Sequence, residues 1–269
     1  MSVFAVISNS FRLTVRGRYL YFVFAILVFM AGATLMAAAF SARQPATVAL
    51  DVGISVFRFC IPIFAAVVVQ GLVAHEFERR YFLASMTYPH SRTVWLVGRY
   101  LTVILLVAAV LLVHALILRE LVEMIGRGYS QATKTALGQQ YWWVVGFAFV
   151  DFVVITSVAL LIAVFATTPG LVVFGAIGFL LIARSYSSIL ALLDGATGLV
   201  TNEKTYREGI GLLHYLVPDL GALDIRATAL YGRMDFLPAI WPQQVTGALL
   251  YILATTALAI WLFQRKRFV

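Results

Sequence analysis

The sequence predicts an all-α, polytopic membrane protein with six transmembrane helices in a single domain, residues 1–269. Of the 269 residues, 62% are hydrophobic and 12% are charged, whereas an average soluble domain has about 25% charged residues. Six apolar stretches can each cross a bilayer, which takes about 20 helical residues. They run from Tyr19 to Phe40, Val52 to Val73, Val94 to Ile117, Val144 to Thr167, Leu171 to Leu192 and Val245 to Phe263.

Residues 1–18 are predicted to form an amphipathic helix that lies in the membrane interface before the first span. Phe4, Ile7, Phe11 and Val15 recur every three or four residues, which places them on one face of a helix. Ser8, Asn9, Arg12 and Arg16 lie elsewhere around it. An apolar face opposite basic residues is typical of helices at a bilayer surface.

The distribution of charge predicts that both termini are cytoplasmic. With that orientation the inside segments carry ten of the 20 basic residues and two of the 12 acidic ones. Short cytoplasmic loops are enriched in Lys and Arg. The net charge of +8 is therefore expected at the cytoplasmic face, where it meets anionic lipid or acidic partners rather than nucleic acid.

The longest predicted outside segment, residues 193–244, is expected to contain short helices that cap the outer mouth. Its apolar patches alternate with charges and with Pro218, Pro238 and Pro242. None of the patches is long enough to span a bilayer.

The search for catalytic motifs argues against an enzyme. The chain has no G-x-x-x-x-G-K-[ST] phosphate loop and no Gly-Lys pair at all, so it is not expected to bind ATP by that route. His75, His90, His114 and His214 are scattered without metal-ligand spacing. We predict no catalytic, cofactor or metal site in this chain.

Three charges inside the predicted spans form a candidate intramembrane site. Arg58, Asp151 and Arg184 fall roughly 9–12 Å beneath the outer surface at 1.5 Å of rise per residue. Because an isolated charge costs several kcal/mol in lipid, Asp151 is predicted to pair with Arg58 or Arg184, with all three facing the interior. The pair either fixes the order of the helices or contacts substrate and gates the outer cavity.

A charged insert, His75 to Arg92, lies between the second and third spans and suits a short helix on the membrane surface. With Gly98-Arg99 after it, this segment resembles the cytoplasmic coupling-helix region of bacterial ABC exporter permeases of the second type. Arg80 and Tyr81 stand where that family usually has Gly-Thr. The basic N terminus and the basic chain end agree with the family, and the segment from Tyr215 to Arg226 is similar to the permeases associated with copper-enzyme maturation.

The resemblance implies a membrane subunit that works with a separate ATP-binding-cassette ATPase, in which ATP and Mg would be bound. Two permease chains, as a homodimer, would associate with two ATPases in the bacterial inner membrane. ATP-driven closure of the ATPases would push the insert and rearrange the spans. The resemblance implies two sets of ATPase-docking residues. Aromatic side chains would anchor in a pocket of the ATPase: Phe77, Tyr81 and Tyr88. Charged side chains would form ion pairs at the rim of that pocket: Glu76, Glu78, Arg79 and Arg80.

Other interpretations stay open at this level. The insert is alternatively a solvated turn whose arginines only enforce topology. The protein is alternatively a gradient-driven secondary transporter or channel, with Arg58, Asp151 and Arg184 as its site. A third interpretation is a scaffold or mechanical transmitter, which binds an ATPase and acts on an external accessory protein through residues 193–244.

Overall fold

A computed structural model describes residues 3–78, 92–128, 135–195 and 217–266, and within these ranges the chain is helical, with no strand. The helices are α1 (Val3–Arg16), α2 (Tyr19–Phe40), α3 (Pro45–Val69), α4 (Arg92–Arg127), α5 (Gln139–Phe165), α6 (Gly170–Gly195), α7 (Arg226–Tyr231) and α8 (Trp241–Arg265). A π-helical turn, Gln70–Ala74, and an α-helical turn, His75–Glu78, continue α3.

Five of these helices are long and apolar enough to cross a membrane: α2, α3 with its π-helical turn, α4, α5 and α8. The sixth predicted span corresponds to α6, which has 26 residues, although its described apolar part, Gly170–Tyr186, is shorter than the other spans. The protein is therefore a membrane-embedded, polytopic α-helical protein.

The helix α5 is central to the bundle, because it contacts α3, α4, α6 and α8. In its most apolar stretch, 78% of the residues are buried, against 17% in α2 and in α8. Large apolar side chains on α2 and α8 are exposed, as expected of surfaces that face lipid. The buried core lies mainly along α3, α4 and α5.

Successive spans reverse direction, so the bundle has two distinct ends. The termini end carries α1, residues 75–78, the start of α4, the α5–α6 turn and the end of α8. The long-loop end carries the α2–α3 turn, the end of α4 and residues 217–240. In the latter segment α7 is followed directly by Gly232, whose φ of 66° lies in the left-handed region that suits glycine.

The helix α1 lies within the residues predicted to form an interfacial helix, and it packs across α4. A Cβ on Gly98 would lie 2.8 Å from Val6 Cγ1, so the absence of a side chain at Gly98 lets the two helices approach. Ser10 and Thr14 are buried, whereas Phe4 and Phe11 are exposed. The aromatic face is thus turned away from the bundle, as a helix at a bilayer interface requires.

Candidate functional sites

The three predicted intramembrane charges meet in the structure. Asp151 on α5 is fully buried, and its Oδ2 lies 2.5 Å from Arg184 Nη2 on α6 and 3.2 Å from Arg58 Nη2 on α3. One carboxylate oxygen thus accepts from two guanidinium groups. Because both arginines carry a full charge, Asp151 alone leaves this buried set with one positive charge in excess.

A fourth charge, Asp224, balances that excess from outside the spans. Its Oδ2 lies 2.5 Å from Arg58 Nη1, and Arg226 also donates to the Asp224 carboxylate. Arg226 in turn reaches α3, where its Nη1 lies 2.9 Å from Asp51 Oδ1 and 2.6 Å from Ser55 Oγ. We define the charge network as Asp51, Arg58, Asp151, Arg184, Asp224 and Arg226.

The charge network contains three aspartates and three arginines, so its formal charges sum to zero. Its side chains become more exposed toward the long-loop end, from 0% at Asp151 and 5% at Arg58 to 23% at Asp224 and 46% at Asp51. Charges buried in protein are tolerated when they are paired in this way. The network is a continuous polar path from the core toward the end of the bundle.

The electrostatics of the outer part favour the charged forms. Burial on its own would raise the pKa of Asp224, but hydrogen bonds from Arg226 and the charges of Arg58 and Arg226 together hold that pKa below its usual value. The hydrogen bond to Asp224 is the largest cause that raises the pKa of Arg226. Both groups therefore stay ionised at neutral pH.

Residues 217–231 position Asp224 and Arg226 by packing onto the bundle. The Leu220 N–H donates to the Ala183 carbonyl of α6 at 3.1 Å, one residue before Arg184. The Ala136 N–H donates to the Ala229 carbonyl at 2.9 Å. Leu220, Leu223 and Ile225 are buried among the spans, so the backbone on both sides of Asp224 is held in place.

Sequence reasoning missed three of the six network residues. Asp51, Ser55 and Arg58 are spaced i, i+4 and i+7, which places them on one face of α3 and could have signalled a polar stripe. Asp224 and Arg226 follow Pro218 in a segment outside the spans. Nothing local relates these two to Arg58, because their meeting depends on how the segment folds back.

At the termini end, Arg99 of α4 holds the start of the insert. Its Nη2 lies 2.5 Å from Glu76 Oε1, and its Nη1 donates to the Leu72 carbonyl in the π-helical turn. The Arg99 guanidinium also lies 4.2 Å from the centre of the Trp95 ring, which stacks on Phe263 of α8. We call Leu72, Glu76, Trp95 and Arg99 the Arg99 junction.

The other end of the insert is bonded to the end of α8. Arg92 Nη1 donates to the carbonyls of Lys266 at 3.0 Å and Gln264 at 3.4 Å. Gln264 Nε2 donates to Thr93 Oγ1 at 2.9 Å. Lys266 Nζ donates to the Val164 carbonyl near the end of α5, and burial lowers the pKa of this amine.

Most of the predicted ATPase-docking residues lie outside the described part of the chain. Glu76 is described and pairs with Arg99. Phe77 and Glu78 belong to the helical turn His75–Glu78, but their side chains are outside the description. Arg79, Arg80, Tyr81 and Tyr88 fall within residues 79–91, which are not described. The docking role of this set therefore stays a prediction.

Among the described residues, no group of three or more His, Cys, Asp or Glu side chains is placed to hold a metal ion. His114 is buried on α4, and its Nδ1 lies 2.8 Å from the Val110 carbonyl. Cys60 is a lone, partly buried thiol on α3.

Comparison with known proteins adds no family: no protein-family model and no curated protein matches this chain. What is established is a helical membrane protein with buried arginine-centred polar sites at both ends of its bundle.

Proposed function

We propose that this chain is the transmembrane subunit of an ATP-driven ABC transporter of the exporter type, in the bacterial cytoplasmic membrane with both termini cytoplasmic. Two copies would pair with two ATP-binding-cassette ATPases, which would hold ATP and Mg and carry out hydrolysis. All six predicted spans would form one permease domain, and the insert from His75 to Arg92 would dock on the ATPase.

The observation that carries the proposal is that the insert is bonded to the bundle at both of its ends. At its start, Glu76 pairs with Arg99 of α4. At its finish, Arg92 donates to carbonyls beyond and within the last turn of α8. A force applied to the insert would therefore reach α3, α4 and α8 directly. This is the mechanical requirement for a segment that converts movement of a soluble partner into rearrangement of the spans.

The helix that enters the insert supports the same function. It continues from α3 through the π-helical turn Gln70–Ala74 into the turn His75–Glu78 without an irregular linker. Because helical segments transmit displacement with little loss, movement of Glu78 would be passed to α3. Rigid-body motion of packed helices is a common form of switching.

Charge reversal in the insert tests the docking role. A triple variant, Glu78→Lys, Arg79→Glu and Arg80→Glu, should lower co-purification of a cognate ATP-binding-cassette ATPase by about tenfold. The matched control is Glu123→Lys with Arg127→Glu, which reverses an exposed ion pair at the long-loop end and should leave association unchanged. Equal ATPase recovery with the triple variant and wild type would overturn the proposal.

A mechanical transmitter that acts on an external protein is the second candidate, and the contacts of the charge network support it. Arg58 and Arg226 tie residues 217–231 to α3, so movement of the spans would also reach this segment. Reconstitution with the ATPase separates the two functions: a transmitter would leave vesicle contents unchanged while altering an external partner, whereas a transporter would move solute with no partner present.

A further inference from the structure

We propose that Arg58, with Arg184 beside it on Asp151, binds an oxyanion group, a carboxylate or a phosphate, of the transported molecule, and that Asp224 occupies this site in the present structure. That the bound molecule is transported rests on the function proposed above, whereas the anion site rests only on the charge network.

Charge balance within the spans is the first argument. Arg58 and Arg184 are 5% and 18% exposed and share the single carboxylate of Asp151. Two cations against one anion leave one positive charge in a largely buried place, where an unpaired charge is strongly unfavourable. Among the described residues, Asp224 is the anion that contacts Arg58 from outside the spans. The spans alone are therefore incomplete by one negative group.

The position of Asp224 is the second argument. Asp151 belongs to α5 and is fully buried, whereas Asp224 belongs to the segment before α8 and is 23% exposed. Asp224 thus presents its carboxylate to Arg58 from outside the spans, as a carboxylate of a bound molecule would. Guanidinium groups bind carboxylate and phosphate oxygens by the same charge-assisted hydrogen bonds.

The remaining contacts show which groups would keep partners if Asp224 withdrew. Arg226 would retain Asp51 and Ser55, and Asp151 would retain both of its arginines. Arg58 Nη1 is the group that would lose its ion-pair partner. Withdrawal of Asp224 thus exposes one guanidinium edge and leaves the rest of the charge network paired.

Exposure increases from Arg58 through Arg226, at 31%, to Asp51, at 46%. An anionic group at Arg58 would therefore exchange with the long-loop side, which is the release side for an exporter with cytoplasmic termini. Return of Asp224 would compete with that group for the same guanidinium and promote its release. Rotation of the Asp224 side chain back onto Arg58 would thereby be coupled to loss of the ligand.

Chemical rescue of Asp224→Ala tests the site in the full-length protein purified in detergent, without any ATPase. Formate and inorganic phosphate are compared with chloride at equal ionic strength, and the midpoint of thermal unfolding is recorded. We expect formate to give a saturable rise of about 3 °C in Asp224→Ala. The matched control, Asp235→Ala, removes an exposed carboxylate from the same segment and should show no response beyond that of wild type.

A double variant, Asp224→Ala with Arg58→Gln, restores charge balance, because Asp151 and Arg184 then remain as a pair. It should be more stable than Asp224→Ala and should lose the response to formate. If Asp224→Ala cannot be purified, Asp224→Ser, which also shortens the side chain and leaves space for an added anion, takes its place in the same assays.

A response to formate alone assigns a carboxylate, and a response to formate and phosphate assigns a wider oxyanion site; both outcomes support the proposal. A response to phosphate alone assigns a phosphate site and also supports it, whereas responses to both anions no larger than those of wild type or Asp235→Ala overturn it. Because the assay contains no ATPase, loss of the anion site leaves the transporter proposal standing, and loss of ATPase association leaves the anion site standing.

Discussion

The two ends of the bundle use buried arginines in different ways. At the long-loop end, Arg58 has two carboxylate partners from different parts of the chain, Asp151 and Asp224. At the termini end, Arg99 has the one carboxylate of Glu76, together with the Leu72 carbonyl and the Trp95 ring. The first end shares its charges among several elements, whereas the second concentrates its contacts on a single side chain.

The two ends would therefore respond differently to a lost contact. The charge network can release Asp224 while Arg226 and Asp151 keep other partners. The Arg99 junction has no such second carboxylate among the described residues. Displacing Arg99 would at once free Glu76, which starts the insert, and the π-helical turn. Loss of Asp224 would therefore leave most of the charge network paired, whereas loss of Glu76 would remove the one carboxylate that contacts Arg99 among the described residues.

The largest expected effect comes from Asp151→Asn, which removes the one carboxylate that Arg58 and Arg184 share. Leaving a buried charge uncompensated costs about 3–5 kcal/mol, so the free energy of unfolding in detergent should fall by that amount. The exposed Asp235→Asn serves as its control and should change the same quantity by less than about 0.5 kcal/mol. If Asp151→Asn were as stable as wild type, the charge network would not contribute to the stability of the fold.

A smaller loss is expected from Arg99→Met, about 2 kcal/mol, because Glu76 is partly exposed and can be hydrated once its partner is gone. Arg99→Lys keeps the charge but not the guanidinium fork, so its loss should be intermediate. Denaturant unfolding gives the stability, and co-purification of the proposed partner ATPase gives a second readout. If Arg99→Met weakened stability without altering ATPase recovery, the Arg99 junction would be structural only.

The smallest effect is the pH dependence of Asp224. Its pKa is lower in the folded protein than in the unfolded chain, so its stabilisation is fully present above the unfolded value, near 3.8. That stabilisation is lost as pH falls below that value and through the folded pKa. The stability difference between wild type and Asp224→Asn should therefore stay constant at higher pH and shrink as the pH falls below about 3.8. If this stability difference did not change with pH, Asp224 would not be stabilised by the arginines in the folded protein.

Part of this arrangement could be predicted from the sequence. Charges are so unfavourable in lipid that Arg58, Asp151 and Arg184, placed at one depth, had few alternatives to meeting. Asp224 and Arg226 could not be paired with them, because hydropathy does not show how a segment outside the spans folds back. Their contact depends on packing of Leu220 and Leu223 against the bundle.

Helix bounds differ from the predicted spans for a related reason. The predicted span starts at Val52, where the continuous apolar stretch begins. The helix α3 begins seven residues earlier at Pro45, a residue suited to the first turn of a helix. The helix α4 runs past Ile117 to Arg127, where an i,i+4 pair with Glu123 supports a polar last turn. Hydropathy measures the apolar length, whereas backbone hydrogen bonding continues into the polar residues.

The π-helical turn at Gln70–Ala74 sets the direction in which the insert leaves the bundle. Its hydrogen bonds span five residues, as in the bond from the His75 N–H to the Gln70 carbonyl. One residue more than an α-helix needs is thus accommodated, and each residue corresponds to about 100° of rotation about the axis. Gly71 permits this geometry where the Tyr19 hydroxyl occupies the space of a Cβ. If the same residues formed an ordinary α-helical turn, the extra residue would instead rotate everything after Ala74 by more than a quarter turn relative to the transmembrane part of α3.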